Sequence, residues 1–208
     1  MKHIKKFQEL GIIVLILLLN TYNLFGQEPS EVRKLAVESN HSSLLFSVPI
    51  SNGITRITGK FNDYSITMMY DENDLSTTTI EAVIQVASID TGIADRDQHL
   101  LSVDFFDATT YPTITFRSKT ITPNEKGFVA TGDFTMRGIT KELAIPFVTT
   151  GKDGKNTFGF TARLTLNRMD HGVGSGFKHD SMENFLGEEI GVEIDFWTKK
   201  WKPRKLKE

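Results

Sequence analysis

Apolar and polar residues alternate along most of this 208-residue chain. One register runs Ser42, Leu44, Phe46, Val48, Ile50. Another runs Ile57, Gly59, Phe61, with Ile66, Met68 and Tyr70 further along the same stretch. Ile80, Ala82, Ile84 and Val86 follow, then Ile114, Phe116 and Ser118, then Phe128, Ala130, Gly132, Phe134 and Met136. Leu143, Ile145 and Phe147 make another run. The last two are Phe158, Phe160, Ala162, Leu164, Leu166 and Ile190, Val192, Ile194, Phe196. Period two with polar residues between is the pattern of strands that bury one face and wet the other. Turn-forming residues separate the runs at Ser51-Asn52-Gly53, Asp71 to Asp74, Pro123 to Gly127, Arg137-Gly138 and Gly151 to Gly154.

Two segments depart from the alternation. Residues 93–107 place Leu100, Val103 and Phe106 three apart and predict a short helix, with Asp95 as its cap and Arg96 pairing with a strand-end carboxylate. Residues 170–188 are polar and rich in glycine, a long loop with a second short helix at 180–186. No repeat, linker or low-complexity tract divides the chain, so 27–198 reads as one domain.

About eight antiparallel strands, each apolar on one face, must bury that face in a closed barrel or a two-layer sandwich. A barrel of this size has a lumen that can hold one small ligand. Inward stripes would gather Phe46, Phe61, Phe116, Phe134, Phe147, Phe160 and Phe196 with Met68 and Met136. Gly59, Ala82, Ala130, Gly132 and Ala162 interrupt them, and missing side chains beside large rings would leave space. An ordinary packed core fits the same parity.

Residues 1–26 read as a secretory signal. Lys2, His3, Lys5 and Lys6 precede the apolar run Gly11 to Leu19, and cleavage after Gly26 would leave Gln27 first. A periplasmic or secreted location follows as the expectation. The chain has no cysteine, which excludes disulfides, thiolate metal sites and a cysteine nucleophile. Phe numbers 15 against four Tyr and two Trp, so the aromatic content suits an apolar interior rather than base stacking. Residues 27–198 carry 15 basic and 24 acidic residues, a poor surface for nucleic acid. The segment 199–208 (KKWKPRKLKE) holds six basic residues and reads as a solvated basic tail, with transient contact to anionic lipid as its alternative role.

Ser88-Ile89-Asp90-Thr91-Gly92, Arg96-Asp97, His99-Leu100, Asp104-Phe105-Phe106-Asp107, Tyr111-Pro112, and Phe116 with Ser118 are spaced motifs that together resemble those of the YceI-like family of secreted, polyisoprenoid-binding proteins. His41-Ser42 with Phe46, and Gly59 with Phe61, resemble the family's first strands. Gly132-Asp133-Phe134-Thr135-Met136-Arg137-Gly138-Ile139-Thr140-Lys141 resembles its hairpin, with Phe134 for the usual Leu. Asn167-Arg168-Met169-Asp170-His171-Gly172 resembles a further element, with His171 where an aromatic is usual. The resemblance covers about 37–197. It implies an all-β, extended antiparallel lipocalin-like barrel with one or two short helices, whose lumen holds an isoprenoid or other long apolar lipid.

The candidate lumen residues are Phe46, Phe61, Met68, Phe105, Phe106, Phe116, Phe134, Met136, Phe147 and Phe160; Arg96, Asp97 and His99 are candidate rim residues. No catalytic residue, metal ligand or cofactor site is assigned: His41, His99, His171 and His179 form no HxH or HExxH pattern. The leading reading is a non-catalytic carrier or store of apolar lipid. The alternatives are an enzyme working on a lipid head group with His99, Arg96 and Asp97, and an empty barrel serving as an envelope stress or interaction protein. Self-association as a homodimer stays open.

Overall fold

The computed structural model describes residues 31–179, 182 and 185–203. The expected signal segment lies outside them, as does most of the suggested helix at 180–186. Among the described residues eleven strands form one antiparallel sheet: β1 Arg33–Val37, β2 Ser43–Ile50, β3 Thr55–Phe61, β4 Tyr64–Tyr70, β5 Thr79–Gln85, β6 Ile89–Asp90, β7 Thr113–Pro123, β8 Phe128–Met136, β9 Ile139–Asp153, β10 Thr157–Asn167 and β11 Glu189–Lys200. One helix, α1 Ala94–Leu101, stands between β6 and β7.

The pairing reduces these strands to eight staves. β1 and β2 are one strand interrupted by the 3-10 turn Ser39–His41, and both pair with β11. β3 and β4 are one strand kinked at Asn62 and Asp63; β3 pairs with β2 and β4 with β1. β5 and β6 are one strand broken at Val86–Ser88, and they pair with β4 and β3. From there the chain meanders through β7, β8, β9 and β10 to β11, which closes the barrel onto the first stave. Closure pairs each stave with a neighbour on both sides over at least part of its length. The long alternating stretch from Ile57 to Tyr70 is thus a single bent stave.

Local chemistry fixes the turns. Met136 pairs with Ile139, so β8 and β9 are joined by the two residues Arg137 and Gly138, with φ of 50° and 72°. Two positive φ values match the twist that a tight hairpin needs. β8 shows the alternation most cleanly: Ala130, Gly132, Phe134 and Met136 are buried, and the residues between them are not. At Gly132 a side chain would strike the backbone of Arg117 and Ser118, beside an irregularity in β7 between Ser118 and Thr120. The glycine serves close strand approach rather than lumen space.

Three expectations need correction. α1 ends at Leu101, because the Ser102 amide turns back to His99 and Val103 points into solvent. Its N-cap is Ile93, with no side-chain cap, so Asp95 does not cap it. β11 runs through Lys200 and pairs there with Leu35, so the first two residues of the expected tail belong to the sheet. β1 was not anticipated at all, yet its Leu35 is fully buried.

The bends of the meander place 51–54, 91–112, 137–138, 168–179 and 185–188 at one end, the upper end. The lower end is packed shut by Leu35, Tyr70, Ile121 and Phe158, with the Tyr70 and Phe158 rings 4.6 Å apart. Outside this plug Glu72 pairs with Arg33 at 3.1 Å and with Lys152.

Candidate ligand cavity

Above the plug the barrel encloses a cavity of about 530 Å³. That lies within the range of small-molecule sites, about 300–1,000 Å³. Every stave contributes apolar side chains to its wall, from Phe46 and Met68 through Phe116, Phe134, Phe147 and Phe160 to Ile194. All ten candidate lumen residues line it, Phe105 and Phe106 from the lid included. Ala82, Ala130 and Ala162 also line it, and there the small residues do leave room. Gly59 does not: the ring of Phe46 already occupies the place its side chain would take.

Two segments cover the upper end. Phe105 from the segment after α1 meets Phe177 of the 168–188 loop at 5.3 Å, and the His99 ring stands edge-on to both, at 5.0 and 5.9 Å. Phe106 meets Phe61 edge-on at 6.2 Å. Arg137 ties the two segments together, donating Nη1 to the Gly172 carbonyl at 2.5 Å and Nη2 to the Val103 carbonyl at 2.8 Å.

The three candidate rim residues do not converge. Arg96 and His99 line the cavity; Asp97 does not. The Asp97 carboxylate accepts from the Thr91 amide at 2.9 Å and from its hydroxyl at 2.5 Å, holding the start of α1 to the end of β6. Arg96 donates Nε to Thr91 Oγ1 and Nη2 to Thr91 O, both at 2.7 Å, in place of the expected carboxylate. His99 Nε2 lies 3.5 Å from Asp104.

Arg168 was missed as a site residue. It was visible only as part of a motif beside a Gly-rich loop. Its side chain lines the cavity and is 9% exposed. Nε donates to Gly187 O at 2.9 Å, Nη1 to Val173 O and Gly174 O at 2.7 and 2.9 Å, and Nη2 to Leu186 O at 3.2 Å. One guanidinium thereby closes both ends of the 168–188 loop. Burial pushes its pKa down, partly offset by Glu188. His171, the departure from the usual aromatic, keeps an aromatic's role: its ring packs edge-on to Phe134 at 5.2 Å, and Nδ1 lies 3.0 Å from Ile139 O. Among the described residues no group of three His, Asp or Glu is placed to hold a metal ion.

This barrel, with its lid and apolar lumen, has known counterparts. The YceI-like domain matches residues 35–197. The chain belongs to the YceI-like family. A UPF0312 protein of Pseudomonas aeruginosa is 32% identical over 152 residues, which are 71% of this chain and 79% of that protein. One of Vibrio parahaemolyticus is 35% identical over 150 residues, 69% of this chain and 79% of the relative. Among solved structures, a Campylobacter jejuni YCEI protein superposes with a TM-score of 0.62 at 26% identity, covering 72% of this chain and 88% of that one. A polyisoprenoid binding domain from Saccharophagus degradans shares the fold, with a TM-score of 0.65 at 12% identity, over 82% of this chain and all of that one.

Proposed function

We propose that this YceI-like protein is exported and binds an isoprenoid or other long apolar lipid in its barrel, without catalysis, for transport or storage. The observation that carries the reading is the cavity of about 530 Å³ lined by apolar side chains from every stave. A prenyl or acyl chain makes no hydrogen bonds, so its affinity must come from leaving water, roughly 0.8 kcal/mol per buried CH₂ before ordering costs. The Saccharophagus degradans neighbour is described as polyisoprenoid binding, which fits a lumen of this chemistry. The pattern of residues 1–26 supports export, and an exported lipid carrier would load and unload by transient contact with membranes. The rim geometry favours a non-catalytic role. Asp97 and Arg96 are engaged by Thr91, and His99 faces an exposed aspartate rather than a nucleophile.

The test is organic extraction and native mass spectrometry of protein purified from its own envelope. A bound prenyl or acyl lipid is expected. The variant Ala82→Phe, which places a ring in the lumen, should fold and lose that lipid. A folded Ala82→Phe protein that keeps its full lipid content would sink the lumen as the binding site.

A further inference from the structure

The barrel wall is not uniformly hydrogen-bonded. β9 and β10 pair only from Thr157–Asp153 to Ala162–Phe147. Above that point β9 continues to Ile139 paired with β8, and β10 continues to Asn167 paired with β11. The upper halves of these two neighbours therefore have no ladder between them. Extending the register would set Ile145 opposite Leu164 and Leu143 opposite Leu166. All four side chains line the cavity and are half-buried. Lumen-facing side chains of the paired wall, Ile80, Ile84 and Val192 among them, are half-buried in the same way, so the missing ladder is what sets this stretch apart.

The seam has defined ends. Its foot is the Ala162–Phe147 pair. Its head is bridged by polar contacts between β9 and the turn after β10: Lys141 to Asp170 at 2.5 Å and His171 to the Ile139 carbonyl at 3.0 Å. The exposed strand edges carry Glu142, Pro146 and Arg163. Charged residues and proline are what keep an unpaired edge from recruiting another strand. A second break, between 37–44 and 61–66, is filled instead: Leu44 and Ile66 are buried there, and Tyr64 packs on Phe196 at 6.2 Å.

An elongated chain in the lumen needs a route. The lower end is plugged by packed rings, and the upper end is covered by the tied 91–112 and 168–179 segments. Widening the seam breaks no strand-to-strand hydrogen bond, and the lumen-facing side of its lips, Leu143, Ile145, Leu164 and Leu166, is apolar. We propose that the β9–β10 seam is the lateral passage through which an extended hydrocarbon chain, prenyl or acyl, enters and leaves the lumen. The proposal rests on the lipid-binding reading.

The chain has no cysteine, so introduced thiols are unique. Ala144→Cys with Thr165→Cys places one exposed thiol on each lip. Ala144→Cys with Thr131→Cys places the same thiol opposite a neighbour on the fully paired β8–β9 side, as a control. Each protein is loaded with retinol, a fluorescent isoprenoid, and bridged with a short bis-maleimide. Transfer to phosphatidylcholine vesicles is then followed by stopped-flow fluorescence. Bridging 144 to 165 should slow transfer by roughly tenfold or more without releasing retinol, since the change is in exchange rate rather than in the bound contacts. Bridging 144 to 131 should leave transfer unchanged. Equal transfer before and after the 144–165 bridge, with retinol bound, would overturn the passage and leave the lumen reading standing. Failure of the native protein to take up retinol at all would overturn both.

Discussion

The ring of Phe46 lies where a side chain on Gly59 would have to go. The two residues are direct partners across β2 and β3, and a Cβ at Gly59 would press on Phe46 Cζ and on the Thr91 methyl. Thr91 is in turn the anchor of Asp97 and Arg96. One absent side chain therefore lets a lumen ring, a strand pair and the root of α1 meet.

Gly59→Val should force Phe46 toward the lumen and push Thr91 away from α1. Overpacking of this kind costs about 1–3 kcal/mol. Urea denaturation should show the loss, and hydrogen exchange should place the added opening at α1. A Gly59→Val protein as stable as the parent would contradict the packing described.

Arg168 presents a different kind of dependence. Its guanidinium satisfies four backbone carbonyls at the two ends of the 168–188 loop. Arg168→Met fills much of the volume and leaves those acceptors without their donor, a penalty of about 1–3 kcal/mol for each group that finds no water. The variant should unfold at clearly lower urea, and the loop should become a target for limited proteolysis. Arg168→Lys keeps the charge but not the planar fork, so it should recover only part of the loss.

The lower end gives a pH dependence. The hydrogen bond from Lys152 holds the Glu72 carboxyl below the usual carboxylate range, with burial opposing and Arg33 assisting. A depressed carboxylate contributes stability that is fully present above its unfolded value. That contribution is lost as pH falls through the folded value. Stability should therefore decline as pH drops below about 4.3, the ordinary glutamate value. Glu72→Gln should be less stable than the parent at neutral pH and should lose less on acidification. Urea midpoints measured across the acid range decide the point, and a parallel decline in both proteins would remove Glu72 from the account.

The one-sided strands were legible because alternation survives in each stave taken alone, most plainly from Phe128 to Met136. The lumen stripe was legible for the same reason, and its residues do line the cavity. What failed depended on distant chain. β1 is five residues long and is held by β4 and β11, neither of which its own sequence reveals. Arg168 looks like a surface arginine until the loop carbonyls close around it. The small residues divided by neighbour rather than by size, since Ala82 opens the lumen and Gly59 is filled by Phe46. The seam was invisible because Leu143, Ile145, Leu164 and Leu166 alternate as regularly as residues in the paired wall.

Asp97 and His99 separate a carrier from an enzyme. Asp97 faces Thr91 and lies off the cavity, so Asp97→Ala should act through stability alone, with about 0.5–2 kcal/mol lost as for a helix-terminal cap. Its melting temperature should fall while lipid affinity stays near the parent's. His99 does line the cavity, but its ring is held by Phe105, Phe177 and Asp104. His99→Ala should loosen that aromatic contact and lower stability, with little change in how much lipid is held and no change in its exchange through the β9–β10 seam. A general base in that position would behave otherwise: removing it would leave binding intact and reduce turnover by on the order of 10²–10⁴-fold. Incubating purified lipid extract with the parent and with His99→Ala, followed by mass spectrometry of the lipids, distinguishes the two. Identical lipid masses in both samples are expected. A product formed by the parent and missing with His99→Ala would make this barrel an enzyme.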